Sequence, residues 1–166
     1  MTIDRRKTPL RDLATYADSR AVRLDECDYS ADVDIHVTLC ADRGRPFEHA
    51  DIARLACENV EYYCEKLGYR LYGYCAMPDH LHVLLSPAAS GVPLSRWLRE
   101  FKSFTTNKHQ KMTGNARLWQ RSANDHVCRQ GETAETVLRY IVENPVRAGL
   151  VEQWQDWPWT KVFIKL

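Results

Sequence analysis

The stretch that most constrains the fold is residues 77–85, which read MPDHLHVLL. The apolar residues after the proline favour a buried strand, and side chains in a strand alternate between its two faces. His80 and His82 therefore share one face, while Leu81 and Val83 point to the other. Two imidazoles on one face of a rigid strand can hold a metal ion, although an ordinary strand with two polar positions would show the same pattern.

A second strand at residues 69–76 precedes this one, and the link between them is only Met77, Pro78 and Asp79. So short a connection favours an antiparallel hairpin. The other strands and helices are predicted from the spacing of apolar residues, from β-branched residues, and from glycines and prolines that typically end such elements. They are a strand at 33–40, a helix at 49–67, a helix at 94–110, a short strand at 126–129 and a last helix at 132–144, which Pro145 ends.

This order predicts one α+β domain over residues 31–166, preceded by a basic N-terminal arm over 1–30 with a short helix at 9–20. The expected architecture is a ferredoxin-like β-α-β-β-α-β antiparallel sheet with helices on one face, plus a C-terminal helix. The other face of the sheet is then available to carry chemistry or to bind a polymer. A tail that contains Trp154, Trp157 and Trp159 should pack onto the body.

The net charge of +1 says nothing about binding partners, but the distribution of charge does. Between residues 96 and 129 there are eight lysines and arginines and only two acidic residues. A basic stretch of this kind fits a nucleic-acid-binding surface, although it is also common on a solvated face. The candidate DNA contacts are Arg96, Arg99, Lys102, Lys108, Lys111, Arg117, Arg121 and Arg129.

The six cysteines form no C-x-x-C pair, and a zinc site built from them has no support in their spacing. No apolar run approaches the length of a transmembrane helix, and the first residues carry no signal-peptide core. These observations predict buried, reduced thiols in a cytoplasmic protein that has no membrane partner.

The last predicted helix supplies a second pair of polar residues. Tyr140 and Asn144 are four residues apart, so both project from one side of the helix, while Leu138 and Ile141 point toward the core. A tyrosine oxygen beside an amide oxygen, opposite a histidine pair, fits a nucleophile with a metal ligand. A half-buried tyrosine followed by a helix-ending asparagine is the simpler interpretation of the same pattern.

Four strings occur in the order found in a known family. They are MPDHLHVLL at 77–85, LWQR at 118–121, RYIVENPVRAGLV at 139–151 and WPW at 157–159. With them, the chain resembles the REP-associated tyrosine transposases, which belong to the single-tyrosine HUH transposases. It departs from that family at residues 122–124, where relatives often carry aromatic residues and this chain has SAN. The change would alter DNA contacts or helix packing, and not the nucleophile.

The resemblance implies a role for each candidate site residue. His80 and His82 match the two histidines that bind a divalent metal. Tyr140 matches the nucleophile on the final helix, and Asn144 stands where relatives place a polar third ligand. The metal that the family implies is Mg²⁺ or Mn²⁺, and imidazole ligands favour Mn²⁺ of the two.

The implied activity is cleavage and rejoining of single-stranded DNA through a 5′-phosphotyrosine bond, at hairpins formed by palindromic repeats. Such an enzyme needs no ATP, in keeping with the absence of a G-x-x-x-x-G-K-[ST] loop. It would associate with the nucleoid through DNA, either as a monomer or as a homodimer. Two other functions fit the residues: a domesticated nucleic-acid-binding protein that no longer cuts, and a small metallohydrolase that uses water as its nucleophile.

Overall fold

The structure, a computed structural model, describes residues 33–128 and 132–166. The predicted basic arm and its short helix precede the first range, and the predicted DNA contact Arg129 falls between the two, so these predictions lie outside the described residues. Within the described ranges, no helix combines the length and the apolar character that crossing a membrane requires.

In the described ranges, five strands form a single sheet. The strands are β1 (Ile35–Cys40), β2 (Arg70–Met77), β3 (His80–Ser86), β4 (Asn124–Val127) and β5 (Thr160–Val162). The α-helices are α1 (Ala50–Leu67), α2 (Leu94–Thr113), α3 (Ala134–Val142) and α4 (Asn144–Arg147), and there are 3₁₀ turns at Pro46–Glu48, Ala88–Ser90 and Trp154–Asp156.

The strand order across the sheet is β4-β1-β3-β2-β5, and every neighbouring pair is antiparallel. The first four strands with α1 and α2 confirm the predicted β-α-β-β-α-β framework. β5, which pairs with β2, was not predicted. The predicted short strand at 126–129 is β4, which begins two residues earlier because Asn124 pairs with Thr38.

Glycines end the two long helices. Gly68 adopts a left-handed conformation with φ 73° and its N–H donates to the carbonyl of Cys64, as the predicted C-cap requires. α2 runs three residues beyond the predicted end at 110, because the chain stays helical until Gly114 at φ 77°. Its N–H donates to the carbonyl of Gln110 at 2.8 Å.

One face of the sheet packs against α1 and α2 and forms the larger hydrophobic cluster. Trp97 and Phe101 of α2 are fully buried there, with their rings stacked at 5.0 Å between centroids. The sheet contributes the apolar residues that alternate with the histidines, namely Ile35, Val37, Leu39, Leu81, Val83 and Leu85. This layer corresponds to the predicted helices on one face.

The opposite face carries the histidines and packs against α3 in a second, smaller cluster. Leu138 and Ile141 of α3 are fully buried against Leu84 and Cys75 of the sheet. The tail joins this cluster, and the Trp157 Nε1 donates to the carbonyl of Ala76 at 2.8 Å. The predicted packing of the tail is therefore confirmed, and the histidine face is half covered where it was expected to be open.

A β-bulge in β2 changes the predicted alternation of aromatic residues. The pairing with β3 shifts between Leu71 and Gly73, so Tyr72 is the extra residue. Tyr72 packs in the cluster with α3 and Tyr74 in the cluster with α1, whereas simple alternation would put both on one face. The Tyr72 hydroxyl donates to Asp34 Oδ1 at 2.6 Å, which fixes the bulge to the start of β1.

The cysteines in the described ranges are free thiols, in line with the reduced state predicted from the sequence. Burial raises the pKa of Cys57, Cys64 and Cys75 to about 12. Such thiols stay protonated at neutral pH and act as packing residues.

Candidate functional site

The histidine strand β3 lies between β1 and β2 in the middle of the sheet. β1 places Thr38 opposite His82 and Cys40 opposite His80. The Nε2 atoms of His80 and His82 are 3.1 Å apart, and their rings meet edge to face. His82 is only 3% exposed, whereas His80 is partly open to solvent. The strand thus turns both imidazoles to one face, as the alternation predicts.

The two Nδ1 atoms point away from this pair, and each has a partner. His80 Nδ1 is 2.6 Å from Asp79 Oδ1, and since an ionised carboxylate only accepts, this nitrogen carries the proton. His82 Nδ1 is 3.0 Å from His36 Nε2 and 3.1 Å from Thr38 Oγ1. His36 and Thr38 belong to β1, and neither was predicted as a site residue.

Burial keeps His36 and His82 neutral. Desolvation, together with the nearby charges of His126 and His80, lowers the pKa of His36 to about 4, although Glu132 acts in the opposite direction. Desolvation also lowers the pKa of His82 well below its usual range. Neutral imidazoles have a free lone pair at pH 7, which is the form that binds a metal.

The low pKa of His36 predicts a stability that decreases in acid. The unfolded chain binds a proton at His36 near pH 6.5 and the folded protein only near pH 4. Below pH 6.5 the unfolded state therefore holds more protons, so the free energy of unfolding should fall as the pH falls toward 4, by on the order of 3 kcal/mol from this group. Urea unfolding in EDTA at several pH values would measure this.

His36→Gln is the matched variant for that experiment. It removes the titrating group, so its stability should depend less steeply on pH between 6.5 and 4 than that of the wild type. Equal slopes for the two proteins would contradict the assignment of a half-buried, neutral His36.

The Nε2 pair has the geometry of two neighbouring ligands of a divalent metal. Imidazole nitrogens bind such ions at about 2.0–2.2 Å, so two ligands at right angles stand about 3 Å apart, close to the separation observed. Histidine ligands usually donate their other ring nitrogen to a carboxylate, carbonyl or water, and Asp79 takes this place for His80. In the part of the chain that is described, no group of three His, Cys, Asp or Glu side chains could hold a metal. Among the described residues, the candidate third ligand from the sequence is Asn144, an amide.

The break between α3 and α4 orients the amide of Asn144. Pro145 has no N–H, so the carbonyl of Ile141 lacks the donor that a continuous helix would supply. Asn144 Nδ2 fills this place, at 3.0 Å from the Ile141 carbonyl and 3.2 Å from the Tyr140 carbonyl. Its Oδ1 has no hydrogen bond to any described residue. An oxygen of the kind that Mg²⁺ and Mn²⁺ accept is thus left available.

The α3–α4 segment lies over the same sheet face as the histidines. Leu138 of α3 packs with Leu84, which is two residues along β3 from His82. The charge of Arg147, at the end of α4, contributes to the lowered pKa of His82. Tyr140 is half-buried on this segment. The structure therefore brings the predicted tyrosine and the histidine pair to one side of the sheet.

The predicted DNA contacts on α2 are not brought to the histidines, because α2 packs on the opposite face. Arg96 Nε is paired with Glu100 Oε1 at 2.9 Å. Lys102 Nζ donates to three carbonyls of the segment that leads to β4, so its role is structural. Those carbonyls belong to Gln120, Arg121 and Ser122. Six members of the predicted set are exposed, namely Arg96, Arg99, Lys108, Lys111, Arg117 and Arg121.

Arg117 lines a cleft of about 700 Å³ between the loop after β1 and the end of α2. Arg43 and Arg45 line the same cleft. The loop is tied to the histidine hairpin, because the Ala41 N–H donates to the Asp79 carbonyl at 2.8 Å. The cleft is therefore a basic depression next to the end of the sheet where the histidine strand begins.

Comparison with known proteins identifies the family. A sequence profile described as IS200-like transposase matches residues 29–144, which include β1, both histidines, Tyr140 and Asn144. The chain belongs to the IS200-like transposase family. The resemblance drawn from the four sequence strings is thereby confirmed.

Two curated relatives lie within this family's REP-associated group. The REP-associated tyrosine transposase of Escherichia coli K12 is 28% identical over 93 residues, which is 55% of this chain and 53% of the relative. A candidate REP-associated tyrosine transposase of Haemophilus influenzae is 28% identical over 109 residues, which is 58% of this chain and 61% of the relative. The chain thus spans between half and two thirds of the length of these relatives.

Solved structures show that the fold is that of the family. A REP-associated tyrosine transposase bound to a REP hairpin superposes with a TM-score of 0.62 at 22% identity, covering 81% of this chain and 79% of that one. A candidate transposase of Deinococcus radiodurans gives a TM-score of 0.50 at 18% identity, covering 69% and 92%. The IS200-like transposase fold therefore accounts for the ferredoxin-like framework predicted from the sequence.

Proposed function

We propose that this protein is a transposase that cuts and rejoins single-stranded DNA with Tyr140 as the nucleophile. The observation that carries the proposal is the half-buried Tyr140 on the helical segment that covers the sheet face where two histidine Nε2 atoms converge. Membership of the IS200-like transposase family supports it. The structural relative is bound to a REP hairpin, and hairpins of palindromic repeats are the proposed substrate here.

The proposed reaction exchanges one phosphate ester for another. Tyr140 Oη attacks the phosphorus, a bond forms between the phenolic oxygen and the 5′ phosphate, and the bond to the 3′ oxygen breaks. The phenol loses one proton and the departing 3′ oxygen gains one, so a free 3′-OH is released. The covalent link conserves the phosphodiester energy, and attack by a 3′-OH in the reverse sense rejoins DNA.

His80 and His82, with the oxygen of Asn144, are the proposed ligands of a divalent cation, Mg²⁺ or Mn²⁺. When bound, such a cation would polarise the phosphodiester and offset the charge that develops on its oxygens. The protein's own part is to keep His82 neutral and to hold both imidazoles in a fixed orientation. Burial lowers the pKa of His82, and the hydrogen bonds of the two Nδ1 atoms fix both rings in place.

The basic cleft at Arg117 is the proposed contact for the DNA backbone nearest to the histidines. Arg43 and Arg117 are exposed there, and planar guanidinium groups bind phosphates well. Most of α2 packs on the sheet face opposite the histidines, so its exposed basic residues are proposed as contacts for a more distant part of the substrate. Binding through such contacts weakens steeply as salt rises.

The test uses labelled hairpin oligonucleotides with single-stranded flanks. In Mn²⁺ or Mg²⁺, wild-type protein should form a covalent protein–DNA adduct that migrates slowly on a denaturing gel. EDTA should abolish the adduct and added Mn²⁺ should restore it, because the reaction depends on the cation held at the histidine pair. In His82→Ala, added Mn²⁺ should not restore it.

The same variant gives a readout that does not depend on cleavage. Calorimetric titration of Mn²⁺ should show binding at least about 10-fold weaker in His82→Ala than in wild type. Adduct formation that persists in EDTA would contradict the metal dependence. Hairpin binding without any adduct, in both metals, would instead indicate a binding protein that no longer cuts.

A further inference from the structure

Arg147 makes two contacts with Tyr140 that nothing in the sequence pattern requires. Its guanidinium carbon lies 4.2 Å from the centroid of the Tyr140 ring, so the cation covers one face of that ring. Its Nη2 donates to the carbonyl of Tyr140 at 2.6 Å. One side chain therefore holds both the ring and the backbone of the same residue.

The break between α3 and α4 explains why this contact forms. Carbonyls near the end of a helix lack their usual N–H donors and accept from nearby side chains. The Tyr140 carbonyl accepts from Asn144 Nδ2 as well as from Arg147 Nη2. Arg147 Nη1 lies 3.7 Å from Glu143 Oε2, which restrains the guanidinium from the other side. Asn144 and Arg147, both in α4, thus donate to the same carbonyl, that of Tyr140 in α3.

The charge of Arg147 also reaches the interior of the site. Its charge acts on the buried His82 and Cys75, both of which belong to the sheet face beneath α3. Yet Arg147 is itself exposed. An arginine has five N–H donors, and the two contacts with Tyr140 and Glu143 leave others that can bind an oxyanion.

We infer that Arg147 is a positioning residue for Tyr140: it clamps the phenol ring by its face and its backbone carbonyl so that the hydroxyl is held for attack on a DNA phosphate. The inference rests on the proposed function for its catalytic consequence. The positioning itself is a property of the protein without DNA. The planar guanidinium is essential to it, because an ammonium group cannot both cover the ring and donate to the carbonyl from one fixed plane.

The first measurement is the rate of adduct formation in a single turnover at saturating hairpin. Arg147→Lys keeps the charge and should bind the hairpin within about 3-fold of wild type, while its rate falls by about 10- to 100-fold because the nucleophile is no longer held. In Arg147→Ala, guanidinium ion at millimolar concentration should restore part of the rate. Arg139→Ala is the matched control, an exposed arginine one residue before Tyr140 on the same helix, and should leave the rate unchanged.

The second measurement needs no cleavage. Protein labelled with 3-fluorotyrosine gives a ¹⁹F resonance for residue 140, assigned by its loss in Tyr140→Phe. That resonance should shift and broaden in Arg147→Ala, and stay in place in Arg139→Ala. A resonance that does not move in Arg147→Ala would overturn the inference, as would a Lys variant with the wild-type rate. A shifted resonance in a protein that forms no adduct would uphold the positioning and refute the proposed function instead.

Discussion

Replacing Tyr140 with phenylalanine should abolish the covalent adduct and lower the rate of hairpin cleavage by about 10³-fold or more. The substitution removes only the hydroxyl. The ring remains to receive Arg147, and the buried neighbours Leu138 and Ile141 are untouched, so the fold and the melting temperature should stay close to those of the wild type. The measurement is the adduct on a denaturing gel, with mass spectrometry of the peptide that carries residue 140.

Tyr62→Phe is the matched control for this experiment. Tyr62 is 54% exposed on α1, in the layer on the opposite side of the sheet, so loss of its hydroxyl should leave the adduct intact. Cleavage that survives in Tyr140→Phe would refute the tyrosine mechanism. It would then favour the metallohydrolase, in which water attacks and no adduct forms.

Gly73→Ala should destabilise the protein by about 2–3 kcal/mol, because an added methyl group has no room. A Cβ at this position would stand 2.7 Å from Leu138 Cδ1 and 2.7 Å from the backbone oxygen of Lys161. The first contact pushes on α3, which packs on the histidine face, and the second pushes on the edge strand β5, so both elements would have to shift. Thermal unfolding should show a melting temperature lower by about 5–10 °C.

Gly44→Ala provides the comparison at a site without neighbours. Gly44 has φ 64° and nothing within 4 Å of an added Cβ, so the cost there is that of the backbone conformation alone, about 1 kcal/mol. In a Leu138→Ala background, the cost of Gly73→Ala should become smaller, since one of its two close contacts is gone. Equal destabilisation by the two glycine variants would contradict the close approach of α3 and β5 to β2.

Local patterns in the sequence were sufficient for most of the fold. Apolar spacing and the glycine at position 68 located α1 and its end, and the short link before the histidines located the hairpin. β5 was missed because three residues in a tryptophan-rich tail have no periodicity, and only their pairing with β2 makes them a strand. The bulge at Tyr72 was missed for a similar reason, since it depends on contacts with α3 and with Asp34.

Some features of the candidate site could likewise be predicted from local sequence, whereas others depend on tertiary contacts. Alternation along one strand predicted that His80 and His82 share a face, and helical spacing paired Tyr140 with Asn144. His36 and Thr38 contact His82 from a strand more than 40 residues earlier, and the register between β1 and β3 that joins them is set by packing of the whole sheet. Arg147 is seven residues from Tyr140, and its contact depends on the break between α3 and α4.

The two hydrophobic clusters give the two halves of the site unequal resistance to local opening. The histidine pair stands on central strands that the larger cluster holds, so exposing it requires the sheet itself to unfold. Tyr140 is attached through the smaller cluster of α3, β5 and the tail, which buries fewer apolar side chains. Elements of that kind open at a lower free energy and exchange their amide hydrogens sooner. A DNA end joined to Tyr140 would therefore be carried by the part of the molecule that can separate from the histidines while the sheet stays folded.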